Sequence, residues 1–299
     1  MDGPNSCWRN LDVGRRREFA DEIATAVRRV NTIAALAGAR WAASCRRSVL
    51  WVGLVIEAMP ELGVTRISRW VFNCYVIHNN GDAIVVDAGL PTAAADVAPV
   101  LDRLGGRVSA IVATHGHSDH VAGAAGVAAQ YEAPVHLPAV TMKYLEGQRP
   151  RTPSAARVAR IWPTLIDQPP DRIGVAGLIS GARSAGYGTA AGMRWSGPAP
   201  AGALADAKPL PGAPEWLILA TPGHTDDSVA FWNPLSRTLI AGDAVLSARG
   251  RVWHTPETVD DAAARRTRER LEKLPVAHLL PGHGRTVHAG TTVWDGQRR

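Results

Sequence analysis

Short apolar runs bounded by turn residues set the texture of the chain from Gly63 onward. Val64–His78 (VTRISRWVFNCYVIH) and Ala83–Asp87 (AIVVD) flank Asn79-Asn80-Gly81-Asp82, and this pattern predicts a β-hairpin. Thr92–Leu104 has helical spacing, and Ser109–Thr114 (SAIVAT) reads as a short buried strand. A second group of strands is predicted at Trp216–Thr221, Ser228–Asn233, Thr238–Ala241 and Val276–Leu280. Asp260–Leu274 interposes a capped, charged helix that ends near Pro275. Strands alternating with helices in two successive halves predict an α/β (α+β) fold, two sheets with helices outside.

Two stretches depart from this rhythm. Residues 1–58 are rich in alanine and arginine, and Glu18–Gly38 carries helix-like spacing at Phe19, Ile23, Val27 and Val30. This N-terminal extension reads either as a helix packing on the domain or as sequence upstream of a start at Met59, without a role in the chemistry. Asp12, Glu18, Asp21 and Glu22 argue against a transit peptide. The main domain is placed at 59–299. Inside it, 138–214 holds 11 of the 21 prolines, which excludes one continuous element. Val158, Ile161, Trp162, Leu165 and Ile166 keep helical spacing there, interrupted by Pro163. The stretch is either a surface insertion with its own small core or a lid over a site.

Composition narrows the class. With 46% hydrophobic and 20% charged residues, the 299-residue chain can bury a sizeable core. Three cysteines, Cys7, Cys45 and Cys74, lack CxxC spacing and give neither a disulfide framework nor a cysteine zinc ribbon. Val49–Ile56 is too short to span a membrane, so the sequence predicts no transmembrane segment and a soluble, cytoplasmic protein. The net charge of +6 is regional: +3 over 1–58, −3 over 59–137, +5 over 138–214 and +1 over 215–299. That is no uniform nucleic-acid-binding coat, and no stable nucleic-acid partner is expected.

The candidate chemistry sits in Thr114-His115-Gly116-His117-Ser118-Asp119-His120, which follows a predicted buried strand. Imidazole and carboxylate suit borderline-soft divalent metals. Alternation turns His115 and His117 to one side, where they can share an ion, while Asp119 and His120 can serve a second. Three further motifs also follow strands: Thr221-Pro222-Gly223-His224-Thr225, Gly242-Asp243 and Pro281-Gly282-His283-Gly284.

Together, in this order, the four motifs resemble the signature of the metallo-β-lactamase-fold hydrolases over roughly residues 60–290. The resemblance implies a four-layer αβ/βα sandwich and two metal sites. His115, His117 and His224 would hold one ion, Asp119, His120 and His283 the other, and Asp243 would bridge them. Asp119 would be catalytic, orienting the nucleophile or shuttling its proton, and Asp87 would support the histidine loop from behind. Zinc is the default metal, with iron or manganese compatible. The implied function is hydrolysis of an ester, thioester or lactone by a metal-bridging hydroxide. Alternatives are a β-lactam hydrolase, a phosphodiesterase or nuclease of the same fold, and a non-catalytic metal-binding module. Asp243, standing where the commonest zinc β-lactamases carry cysteine, resembles the glyoxalase II and lactonase branch. The basic stretch 138–214 adds Arg157, Arg160, Trp162 and Trp195 as candidate lid residues, predicting a small-molecule substrate with an anionic end and an apolar body.

Overall fold

A computed structural model of the protein describes residues 53–188 and 192–295. The chain divides into two units, Met1–Leu50 and Trp51–Arg299, and the architecture below is that of the second. The expected helix at Glu18–Gly38 lies outside the described residues. The first strand, β1 (Val55–Met59), pairs antiparallel with β2 (Val64–Arg69), so the folded sheet begins upstream of the expected boundary at Met59.

One sheet runs in simple order through β1, β2, β3 (Phe72–Asn79), β4 (Asp82–Val86), β5 (Val108–Val112), β6 (Val135–Pro138) and β7 (Gly202–Leu204). What reads as one long strand, Val64–His78, is itself a hairpin turning at Trp70, whose φ is +55°. The Asn80-Gly81 turn forms as expected, with φ of +48° and +88° and Asn79 opposite Asp82. The second sheet contains β8 (Pro209–Leu210), β9 (Ala213–Ala220), β10 (Val229–Asn233) and β11 (Thr238–Gly242). A small hairpin, β12 (Val245–Ala248) with β13 (Arg251–His254), follows, and β14 (His278–Pro281) and β15 (Val287–His288) complete the sheet beside β11.

Burial on both faces explains why the strands are nearly continuous apolar runs. Tyr75, Ile77, Ile84, Val86, Ala110 and Val112 point from the first sheet into a core shared with Trp216, Ile218, Phe231, Ile240 and Leu280 of the second. Their sequence neighbours Val76, Val85 and Ile111 face outward onto α1 (Ala93–Leu101) and its surroundings. On the far side Ala230, Trp232, Leu239 and Leu279 meet Leu271, and Trp294 packs with them. The period of two thus produces helices, sheet, sheet and helices, the four-layer αβ/βα sandwich.

The remaining helices sit in loops. They are α2 (Ser118–Val121), α3 (Ala124–Tyr131), α4 (Ala139–Leu145), α5 (Ala155–Val158), α6 (Trp162–Leu165), α7 (Arg172–Ser184) and, after β13, α8 (Asp261–Leu271). Pro163 splits the spacing seen over 158–166 into α5, a 3-10 turn and α6, with the proline in the first turn of α6. Asp171 caps α7 by accepting from the N–H groups of Ile173 and Gly174, worth about 1 kcal/mol. The stretch 138–214 is not wholly an insertion, because β7 and β8 within it are edge strands of the two sheets. The described residues standing outside the sheets are 139–188 and 192–201. Among the described residues no helix is long and apolar enough to cross a membrane.

Candidate metal centre

In the second sheet β9, β11 and β14 end at the same edge, because β9 and β11 are both antiparallel to β10 between them and β14 is parallel to β11; β5 of the first sheet delivers its loop to the same place. The loops leaving these ends carry the four motifs, so residues scattered over 168 positions converge in one cleft. Three groups bring their ligand atoms within 4.8 Å of one another: His115, His117 and His224; His115, His120 and Asp243; Asp119, His120 and His283. Asp243 stands between the halves. Its Oδ1 lies 3.4 Å from His120 Nε2, and its Oδ2 lies 3.5 Å from His224 Nε2 and 3.1 Å from His283 Nε2.

Each imidazole is oriented from behind, with one exception. His224 Nδ1 donates to the Glu257 carbonyl at 2.7 Å, and His283 Nδ1 to the Val71 carbonyl at 3.3 Å. His120 Nδ1 donates to Asp87 Oδ2 at 3.0 Å. The Thr114 hydroxyl donates to Asp87 as well and accepts from His115 Nδ1 at 3.2 Å. These bonds fix the tautomer and leave Nε2 facing the cleft. His117 turns the other way, with Nδ1 3.3 Å from His224 Nε2. Asp87 also takes the Thr114 N–H at 2.7 Å and adopts a φ of +57°, a left-handed conformation unusual for a side-chain-bearing residue.

The opposite sheet steadies the His283 loop. Asn73 Nδ2 donates to the carbonyls of Pro281 and Gly284, both at 2.8 Å, and the Tyr75 hydroxyl donates to Pro281 at 2.7 Å. Gly282 is required by close approach, since a Cβ there would lie 2.3 Å from Asp243 Oδ1.

Burial and mutual charge polarise the cluster. Burial, reinforced by the neighbouring imidazoles, holds His115 well below its ordinary value, and burial together with His224 holds His117 at about 3. Burial would do the same to His283, but Asp243 and the bond to Asp119 push it up to about 10. His120 likewise overcomes burial through Asp243 and Asp87 and is raised. Against their own burial, Asp119 and Asp243 are held low, Asp119 by its hydrogen bond to His283 and Asp243 by the charges of His283 and His120.

Three buried atoms that face the cleft, Nε2 of His115 and His120 and Oδ1 of Asp243, lack a hydrogen-bond partner. Buried polar atoms are rarely left so, and here they sit on the residue types that ligate divalent metals. The donor set therefore fits a pair of such ions.

The sequence profile of the metallo-beta-lactamase superfamily matches residues 69–283, which carry all four motifs. The chain belongs to the metallo-beta-lactamase superfamily. A relative from Bacillus subtilis (strain 168), described as the probable metallo-hydrolase YflN, is 24% identical over 246 residues, covering 74% of this chain and 84% of that protein. Among solved structures, the BLEG-1 B3 metallo-beta-lactamase superposes with a TM-score of 0.51 at 19% identity, over 79% of this chain and 97% of that one. VMB-1 superposes with a TM-score of 0.52 at 13% identity, over 82% of this chain and 95% of that one. Those two likenesses concern the superfamily fold.

Residues expected outside the metal cluster fare unevenly. His78, His136, His254, His278 and His288 stay out of it. His254 instead stacks on Trp294, and burial with the charge of Arg268 lowers it to about 4. Arg157 is not free for substrate, because it pairs with both oxygens of Asp261 and donates to Thr258. Trp195 packs on the outer core of the first sheet and donates to the Pro198 carbonyl. Arg160 and Trp162 are exposed, Trp162 at 49%. The expected anionic recognition by Arg157 is therefore corrected: its charge is already matched by Asp261, the first residue of α8. Asp227, Tyr187 and Glu257 were absent from the sequence reading, yet they touch the ligands or their loops. The paired acids in Thr225-Asp226-Asp227-Ser228, just after His224, were the one available signal.

Proposed function

We propose that the chain is a dinuclear metallohydrolase of ester, thioester or lactone bonds. The observation that carries this reading is Asp243, one carboxylate within 3.5 Å of imidazoles from both halves of the cluster. His115, His117 and His224 would hold one ion, Asp119, His120 and His283 the other, and Asp243 both. Zinc is the first choice, and the imidazole–carboxylate set also accepts iron or manganese. When bound, two such ions would supply Lewis acidity for a carbonyl oxygen and lower the pKa of water to near neutrality.

The chain's own residues do the rest. Asp119, whose side chain is 19% exposed, is the most open of the seven, and its Oδ2 lies 3.3 Å from His283 Nε2. That position suits it to orient a water and to take or return a proton at Oδ2. Asp87 holds His120 in place, and the Glu257 and Val71 carbonyls do so for His224 and His283. Burial of the ligands excludes bulk water and strengthens each charge in the centre. A carboxylate at 243, where a thiolate would be softer, favours the glyoxalase II and lactonase chemistry over that of cysteine-bearing β-lactamases. The YflN description as a probable metallo-hydrolase agrees with hydrolysis.

The deciding experiment assays metal-analysed protein against thioester, lactone, β-lactam and phosphodiester substrates. Two ions per chain with turnover of an ester, thioester or lactone is expected. Turnover of phosphodiesters alone, or two ions with no turnover of any class, would overturn the proposal.

A further inference from the structure

Residues 139–201 meet the ligand loop backbone to backbone. The Tyr187 N–H donates to the Gly116 carbonyl at 3.0 Å, and the Ser118 N–H donates to the Tyr187 carbonyl at 3.2 Å. Tyr187 thereby forms a parallel bridge with His117. The approach is close enough to dictate sequence on both sides. A Cβ on Gly116 would lie 2.8 Å from Tyr187 Cε1 and 3.0 Å from Asp227 Oδ2, and one on Gly186 would lie 2.5 Å from the Ser118 backbone.

Side chains complete the joint. The Tyr187 ring lies edge-on to His117, centroids 4.8 Å apart at 70°. Its hydroxyl donates to Asp227 Oδ1 at 2.5 Å. Asp227 Oδ2 accepts from the Gly116 N–H at 2.9 Å and from the Thr141 hydroxyl at 2.6 Å. Tyr187 is 3% exposed and Asp227 2%, so this carboxylate is buried and fully engaged. One charged group, three residues after His224, thus ties both histidine loops of the first half-site to Thr141 and Tyr187 of the segment outside the sheets.

A second attachment runs to the far side of the same half-site. Arg151 pairs with Asp226, and Arg157 donates to the Thr258 carbonyl at 2.7 Å, next to the Glu257 carbonyl that orients His224. His117 itself has no such anchor: its Nε2 is buried without a partner, whereas the other four imidazoles are each held through Nδ1. Packing by Tyr187 takes the place of that missing hydrogen bond.

We propose that Tyr187 and Asp227 are positioning residues for His117, through which the 139–201 segment sets the affinity of the ion held by His115, His117 and His224. This rests on the dinuclear reading above. Partners that orient a metal-bound imidazole govern about 10- to 100-fold in metal affinity. Tyr187→Phe keeps the ring and removes the hydroxyl, and Asp227→Asn keeps the shape and removes the charge.

The test strips the full-length protein of metal, then titrates cobalt(II) or zinc(II) against a chelator of known affinity, with Tyr144→Phe as a control, its ring edge-on to Tyr187 with centroids 5.4 Å apart. Tyr187→Phe should weaken one of the two ions about tenfold and Asp227→Asn about a hundredfold. The second ion should keep its affinity, the cobalt absorption of the affected ion should shift, and Tyr144→Phe should match wild type. Metal-free Tyr187→Phe should melt somewhat earlier, since Asp227 loses a buried donor, so the selective weakening of one ion is what marks a positioning role. A wild type holding two ions, with both variants equal to it, would overturn this proposal alone. So would a variant that melts earlier without metal yet binds both ions unchanged, since that marks a merely structural role. A wild type that takes up no ion overturns the dinuclear reading, and this one with it.

Discussion

The two halves of the centre share Asp243 but reach charge balance by opposite means. The first, His115, His117 and His224, is all imidazole, and burial keeps His115 and His117 from taking a proton. The second couples His120 and His283 to Asp119, Asp243 and Asp87, whose charges raise both imidazoles, His283 to about 10. A neutral pocket waits for a cation; a charge-paired one already holds protons that a cation must displace. Similar residue types thus become two different half-sites, and the difference lies in how many carboxylates surround each imidazole.

The largest effect expected on this contrast comes from Asp243→Ala. On the proposed dinuclear reading, removing this carboxylate would take a ligand from both ions and leave two cations with less compensating charge. Occupancy of the ion at Asp119, His120 and His283 should drop, and turnover at neutral pH should fall at least about a hundredfold, with partial recovery at alkaline pH. Metal analysis and pH–rate profiles check this, and a variant holding two ions at full rate would remove the sharing on which the comparison depends.

Asp87→Asn should act on the second half-site more than on the first. It weakens the acceptor of His120 Nδ1 directly and reaches His115 only through Thr114. A loss of about 10- to 100-fold in affinity for one ion is expected in a chelator competition. Equal losses at both ions would show that the Thr114 link matters as much as the direct bond.

The opposed protonation makes a pH prediction for the metal-free protein. His283, raised to about 10, lends stability that is complete below its unfolded value of 6.5 and is lost as the pH climbs through 10. His117, lowered to about 3, resists protonation when folded, so stability falls as the pH drops from 6.5 toward 3. His283→Gln should flatten the alkaline limb of thermal stability against pH, and His117→Gln the acid limb. Ion uptake near pH 8 should release a proton from His283, measurable by calorimetry in buffers of different ionisation enthalpy. Uptake without that release would erase the distinction.

The smallest effect belongs to Arg157→Ala. Its pair with Asp261 lies at the surface, where solvent screens it. The Asp261 carboxyl, held at about 2 by its hydrogen bonds to Arg157 and Thr258, adds stability above the ordinary carboxylate range that disappears as the pH falls through 2. The variant should melt slightly earlier at neutral pH and keep the wild-type KM for an anionic ester. A several-fold rise in that KM would return Arg157 to substrate binding.

The same division between local and distant causes governs what could be read in advance. The Asn80-Gly81 turn, the helix after Asp260 and the strands ending at His115, His224, Asp243 and His283 were legible because each is written in consecutive residues. Tyr75, Ile77, Ile84 and Val86 announced a strand, yet only the sandwich shows that they share a core with Phe231 and Ile240. Val64–His78 hid a turn, because Arg69-Trp70 carries neither glycine nor proline to mark it. The run 158–166 showed helical spacing, but Pro163 could not say whether the helix bends or restarts.

By itself the sequence marked the candidate donors: seven side chains in four motifs, each at the end of an apolar run, of types that suit divalent metals. Tertiary structure alone decided which nitrogen each imidazole presents, since that follows from distant acceptors such as Asp87 and the Glu257 and Val71 carbonyls. It also decided that Arg157 is matched by Asp261, 104 positions away, and that Tyr187 lies against His117 across 70. The physical reason is reach. Strand period and turn chemistry act over a few residues, whereas orientation and charge are set by whatever the folded chain brings within hydrogen-bonding distance.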